Sequence, residues 1–328
     1  MNVLLTGGSG FIGSHILDAL ISNNVNVKCL VREKSNTRWL KDKNISIIKT
    51  DFQNYELIKD NLKDIDIVIH VAGIIAALNY QHFYNVNTLG TKLLLESVSK
   101  YSNNFKKFIY MSSQTVGGPA HSLETPINEL DKANPLTSYA KSKLEAESII
   151  INNTAGINYT ILRPSAVFGE RDPGIVQIFS MVKKGFAPMM GMDKKYLNLI
   201  YAKDLANATI NCIDNEKSDK QIYYIAGKEQ FNWDLLMNEI KIAVNNPHAI
   251  KIKIPDPIVL SVGYINEKIS QITRKSQIFN YDKAIDFTRK YWVCDSDKAR
   301  QQISLQTNEN IRDLFIKTAT WYIENGWL

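Results

Sequence analysis

The chain has 328 residues and a formal net charge of +6, with 45% apolar and 22% charged residues. That is enough for one large or two modest domains with a substantial core, in a composition ordinary for a soluble globular protein. Lys and Arg are scattered, and no zinc-finger, RNA-binding-sheet or basic-helix pattern accompanies them, which argues against a nucleic-acid partner and leaves a mildly basic surface suited to an anionic cofactor or substrate. The N-terminus opens directly into NVLLTGGSG, without the basic segment and apolar run of a signal peptide. Cys29, Cys212 and Cys294 lie far apart and form no CxxC, so they read as reduced thiols, and a cytoplasmic location is expected.

In chain order, short β-branched runs at 2–6, 25–31, 45–49, 66–71, 107–111 and 158–162 read as strands. Amphipathic stretches between them, including 11–22, 83–101 and 139–152, read as helices. Nearly continuous apolar strands alternating with helices predict an α/β fold of Rossmann type, a doubly wound parallel sheet covered on both faces. Its ligands would sit at the carboxyl ends of the strands. This dinucleotide-binding domain is expected over 1–165, with 197–215 returning to it. Residues 166–328 are expected to form a smaller substrate-binding lobe, partly interwoven.

Within that lobe, 221–226 reads as a shorter strand, 232–244 as a helix capped by Asn232, and 251–257 as an extended piece bounded by prolines. The longest apolar run, PIVLSVGYI at 257–265, is far short of the ~20 residues that span a bilayer, and reads as a buried helix or part of a lid. Phe179, Phe186, Met189 and Met190 belong either to the core or to a pocket for a hydrophobic ligand. Asp204 is placed to cap a helix beginning at Leu205. The five histidines show no HxH or HExxH spacing, and no metal site is readable.

TGGSGFIGSH, at 6–15, follows the first strand and opens the first helix. Gly7 permits the tight turn, Gly10 lets a pyrophosphate approach the backbone, and Gly13 lets the helix pack against the strand. The helix N-terminus then offers free N–H groups to the phosphates. The second strand ends at Val31, where a dinucleotide fold using NAD usually carries an acid. Arg32 follows instead, a residue suited to the 2′-phosphate of NADP, with Lys34, Ser35 and Arg38 nearby. SYAKSK, at 138–143, sets Tyr139 and Lys143 on one helix face. By itself that spacing fits either a solvated surface pair or a proton-transfer pair.

TGGSGFIG, HVAG (70–73), NVNTLGT (85–91), YMSSQTVGG (110–118), SYAKSK and LRPSAVFG (162–169), taken together, resemble the extended short-chain dehydrogenase/reductase family. That family includes NAD-dependent epimerases and dehydratases and the dihydroflavonol-reductase-like NADP oxidoreductases. The resemblance covers residues 1 to about 205 in the family's motif order. It implies that Tyr139 is the catalytic acid/base and Lys143 its partner, a cation that stabilises a phenolate otherwise too basic for neutral pH. Lys143 would also hold the nicotinamide ribose. Ser113, the second hydroxyl of the Ser112–Ser113 pair, would donate to the substrate oxygen. Cofactor contacts are implied at Gly7, Gly10, Phe11, Ile12 and Gly13. Further contacts are implied at Asp51 and Phe52 beside the adenine, at Ala72 and Gly73, at Asn87, and at Pro164 and Ser165 beside the nicotinamide.

Three departures lean toward a reductase: Arg32 in place of an acid, Ala166 where epimerases usually carry Asn, and Val116-Gly117-Gly118 in place of a VYG pattern. The expected activity is therefore hydride transfer between NADP, or NAD, and a carbonyl or alcohol. A nucleotide-sugar epimerase or dehydratase and a non-catalytic nucleotide-binding relative are the alternatives. The expected partner is a small-molecule substrate, with no membrane span. A homodimer through two helices of each subunit is common in the family.

Overall fold

The computed structural model describes residues 1–51, 54–153, 156–277, 279–308 and 310–328. The six apolar runs of the first half become strands β1 (Asn2–Thr6), β2 (Asn26–Val31), β3 (Ser46–Lys49), β4 (Ile67–His70), β5 (Lys107–Met111) and β6 (Asn158–Pro164). All are parallel to their neighbours. Alternation sends Val3 and Leu5 into one core with Ile16 and Leu17, and Leu4 into another with Val68, Leu94 and Phe108. Helices therefore cover both faces. The structure adds a seventh strand, Gln221–Ile225, parallel to β6. It lies in the half of the chain that the sequence reading gave to the smaller lobe.

The strand order is 221–225, β6, β5, β4, β1, β2, β3. The chain winds outward from β1 through β2 and β3, then restarts at β4 on the other side of β1. In such a sheet the ligand crevice is the place of this reversal, beyond the ends of β1 and β4. The helix expected over 83–101 begins earlier, at Tyr80, and widens into a π-helical turn over Tyr84–Leu89 before Gly90–Tyr101. That wide turn carries Asn87.

The second half builds smaller pieces. Strand Tyr196–Tyr201 pairs with Ala166–Phe168, Gln230–Asn232 and Tyr291–Trp292, and Phe186–Met190 pairs with Ile250–Ile254. Their core is aromatic: Phe315 packs on Phe168 with ring centroids 4.8 Å apart, and on Phe179. Phe179 is fully buried in this core and so is not a pocket wall, while Phe186 stands largely exposed. Asn232 caps helix Trp233–Ala243, accepting the Leu235 N–H.

One expectation fails here, and of another only one alternative does. Helix Ala202–Ile210 starts before Asp204, so Asp204 sits in its first turn, and its carboxylate accepts the Asn308 N–H instead. The run 257–265 belongs to the longer helix Asp256–Thr273, of which only Val259, Gly263 and Ser270 are buried. No helix among the described residues is long and apolar enough to cross a membrane.

Candidate active site

The glycine turn forms the floor of the crevice. Gly7 has φ +74°, and a Cβ on it would lie 2.7 Å from the Ala72 backbone nitrogen. Gly10 donates its N–H to the Gly7 carbonyl at 2.9 Å. A Cβ on Gly13 would overlap that same carbonyl. Gly10 is the N-cap of helix Phe11–Ser22 but has no side chain to accept the first N–H groups, and no acid lies in the first turn. The N–H groups at Phe11, Ile12 and Gly13 therefore have no local carboxylate competing with an anion.

Across the crevice, Ala72 donates its N–H to Thr6 Oγ1 at 3.1 Å. Asn87 accepts the Ile74 N–H at 2.8 Å, and its amide nitrogen donates to the Ile74 carbonyl and to Ser142 Oγ. It thus ties the loop after β4 to helix Ser138–Asn153. Below them His70 bridges Thr6 and Thr91 at 2.7 and 3.0 Å. Burial, with the Lys143 charge adding to it, pushes this imidazole down to about 3, so it stays neutral.

Ser113 lies just beyond β5, and its Oγ accepts from the N–H and hydroxyl of Thr115. Tyr139 stands in the first turn of helix Ser138–Asn153, which a distant residue fixes: Asp282 accepts the Tyr139 N–H at 3.1 Å. Burial pushes the Tyr139 phenol up to about 12; a hydrogen bond from Ser113 opposes this, and the charge of Asp286 adds to it. Lys143 Nζ donates to the Met111 carbonyl at 2.8 Å and lies 4.7 Å from the Tyr110 ring centroid. A Cβ on Gly73 would come within 3.4 Å of the same nitrogen. Burial brings Lys143 down to about 8, with Glu147 acting against it. Burial is the largest influence on the phenol here, with Ser113 acting against it. Tyr139 rests as a protonated donor and Lys143 as a cation at neutral pH.

The remaining expected positions divide. Pro164 and Ser165 lie at the end of β6, and Ser165 Oγ is buried with no partner among the described residues. Asp51 is exposed after β3. Phe52 lies outside the described residues. Arg32 is exposed just past β2, its N–H donating to Ser35 Oγ at 3.1 Å. The Arg38 guanidinium packs against tryptophan rings, 4.2 Å from the Trp39 ring centroid and 4.8 Å from that of Trp327. Gly7, Gly10, Phe11, Ile12, Gly13, Ala72, Gly73, Asn87, Ser113, Tyr139, Lys143, Pro164 and Ser165 gather at the strand tips.

Sequence reasoning missed Glu147. It extends the spacing of 139 and 143 by four more residues and is buried. Arg163 Nε and Nη2 donate to it at 3.0 and 2.6 Å, and Ser112 Oγ donates at 2.5 Å. Arg163 also reaches the Tyr224 hydroxyl. Asp282 and Asp286 gave no local signal, being brought in by the fold alone.

A bare glycine turn at a helix N-terminus, an unpartnered serine at the facing strand end and a lysine between them fit a nicotinamide dinucleotide. The model of the NAD dependent epimerase/dehydratase family matches residues 3–226. The chain belongs to that family. A putative UDP-glucose 4-epimerase of Methanocaldococcus jannaschii is 34% identical over 228 residues, spanning 65% of this chain and 73% of that protein. A ceramide reductase of Caulobacter vibrioides is 23% identical over 99% of this chain and 96% of its own. The solved structure of a Thermotoga maritima UDP-glucose 4-epimerase superposes with TM-score 0.81 over 99% of both chains at 21% identity, which is a likeness of fold. Gly117 has a packing reason: a Cβ there would overlap the Tyr224 hydroxyl, which Arg163 reaches.

Proposed function

We propose that this family member is an oxidoreductase that moves hydride between a nicotinamide dinucleotide and a carbonyl or alcohol, with Tyr139 as the proton donor and acceptor. The observation that carries the reading is the place of Tyr139: it shares helix Ser138–Asn153 with Lys143, one turn on, whose Nζ reaches the Met111 carbonyl beside Gly73, and Ser113 lies within hydrogen-bond reach of its phenol. A phenol there is protonated at neutral pH and can give its proton to a substrate oxygen as negative charge develops. Ser113 supplies a second hydroxyl at the same place. The bound nicotinamide supplies or accepts the hydride. Lys143, fixed by the Met111 carbonyl, places a positive charge beside Gly73, where the family holds the ribose. The exposed guanidinium of Arg32 supports NADP over NAD, since the residue directly after β2 is basic, with Glu33 one position further on.

The second reading is epimerisation of a nucleotide sugar, in which the same phenol serves both directions. It is favoured by the family model and by the relative at 34% identity. Cofactor content separates the two: an epimerase retains its NAD through purification and shows no net consumption, whereas a reductase exchanges and consumes free NADPH. Tyr139→Phe is expected to lower turnover by roughly 10²–10⁴-fold with dinucleotide binding kept; surviving turnover would remove Tyr139 from the chemistry. Arg32→Asp is expected to move preference from NADPH toward NADH, and an unchanged ratio of kcat/KM would take Arg32 out of the phosphate pocket.

A further inference from the structure

Helix Asp256–Thr273 is packed on one side only. Val259, Gly263 and Ser270 are its buried residues. That side meets helix Tyr281–Thr288 closely enough that a Cβ on Gly263 would lie 2.5 Å from the Ala284 Cβ and 2.9 Å from the Asn280 carbonyl oxygen. About 100° around the axis runs a second apolar line, at 100° per residue. Ile258, Val262, Ile265, Ile269 and Ile272 follow one another at spacings of four, three, four and three, each between 42% and 82% exposed. From Ile258 to Ile272 the line is about 21 Å long. The strand leading into the helix also carries exposed Ile250 and Ile252, with Ile250 paired to exposed Phe186. Singly scattered apolar side chains are normal on a surface, but a continuous line of this length is not.

The flank of the line is cationic. Lys268 lies beside it, Arg274 and Lys275 follow its end, and no acidic residue occurs between Glu267 and Asp282. Two copies joined along this line would set those cations against each other, or against a helix start whose carboxylate, Asp256, is already held by Lys195. A surface of anionic headgroups over acyl chains satisfies both features at once. We propose that this helix seats the protein on an anionic lipid bilayer, with the isoleucine line at the acyl boundary and Lys268, Arg274 and Lys275 on the headgroup phosphates. The seating is peripheral. It is independent of which reaction the crevice performs. It also lies close to the site, because the helix packed beneath carries Asp282, which fixes the first turn of the helix bearing Tyr139.

The test is flotation of the full-length protein with vesicles of phosphatidylcholine mixed with phosphatidylglycerol, and with phosphatidylcholine alone. The protein is expected to float with the mixed vesicles and about tenfold less with neutral ones or in high salt. Ile265→Glu with Ile269→Glu should abolish flotation. Lys268→Glu, Arg274→Glu and Lys275→Glu together should weaken it about tenfold or more while leaving the melting temperature in place. Should the isoleucine pair fail to fold, the charge-reversed variant and the salt dependence decide alone. Failure of the wild type to float, or equal flotation of the charge-reversed variant, overturns the proposal. So does sedimentation velocity showing a dimer that these substitutions split, which would make the face an interface between copies.

Discussion

The sheet that carries the crevice and the lobe beside it bury their apolar surface in different ways. In the seven-stranded sheet every strand is parallel to its neighbours, and the ends of β1 and β4 meet over a glycine turn with almost no free volume. In the lobe, short strand pairs and an aromatic cluster leave a long helix covered on one side only. The first arrangement is tightly determined, because a parallel sheet exposes no backbone face and each crossover must return over it. The second tolerates change, which is where a family serving many substrates has room to vary.

The largest expected effect comes from the sheet half. Glu147→Ala would leave the Arg163 guanidinium buried without its bidentate partner, a loss of about 3–5 kcal/mol. Chemical denaturation would read this as a lower midpoint; a loss below about 1 kcal/mol would mean that Tyr224 and Ser112 hold Arg163 unaided. If the sheet half is as rigid as its packing implies, cofactor binding should fall with stability.

A smaller effect concerns pH. Lys143 has its folded pKa lowered to about 8 by burial, against about 10.5 when unfolded. Between these values the unfolded chain binds more protons, so this group makes stability rise with pH there. Its positive charge in the crevice is present below about 8 and is lost as pH rises through it. Dinucleotide affinity and activity should therefore decline above pH 8 while the melting temperature does not fall on this account. A parallel fall of both, removed by Lys143→Met, would contradict the sign.

The smallest effect tests the seam between the two regions. Arg38→Ala removes a guanidinium lying between Trp39 and Trp327 and should cost about 1 kcal/mol with no change in NADPH preference. A change in preference would return Arg38 to the phosphate pocket and blur the division drawn here.

Local chemistry made much of the sheet half legible. Alternation of β-branched runs with amphipathic stretches placed β1 through β6, and helix 11–22 was read to the residue. Gly7 and Gly13 were readable because each meets a constraint set by its own turn, and Tyr139 and Lys143 because one helix places both. What escaped was brought in from elsewhere in the chain. Asp282 caps the helix of Tyr139 from the lobe, Trp327 takes Arg38 from nearly the far end of the chain, and strand 221–225 crosses back to β6. The run at 257–265 read as a buried helix or part of a lid, because composition cannot say which side of a helix finds a partner.

By itself, then, the sequence determined the sheet, the glycine turn and the placing of Tyr139 and Lys143 one turn apart on one helix, since these follow from periods of two and of 3.6 residues and from backbone that only glycine can adopt. Tertiary structure decided the burial of those two side chains, the contacts of Arg38 and the exposure of the isoleucine line. Desolvation and contact are properties of the surroundings, and the surroundings of a residue are assembled from chain that its own neighbours in sequence do not contain.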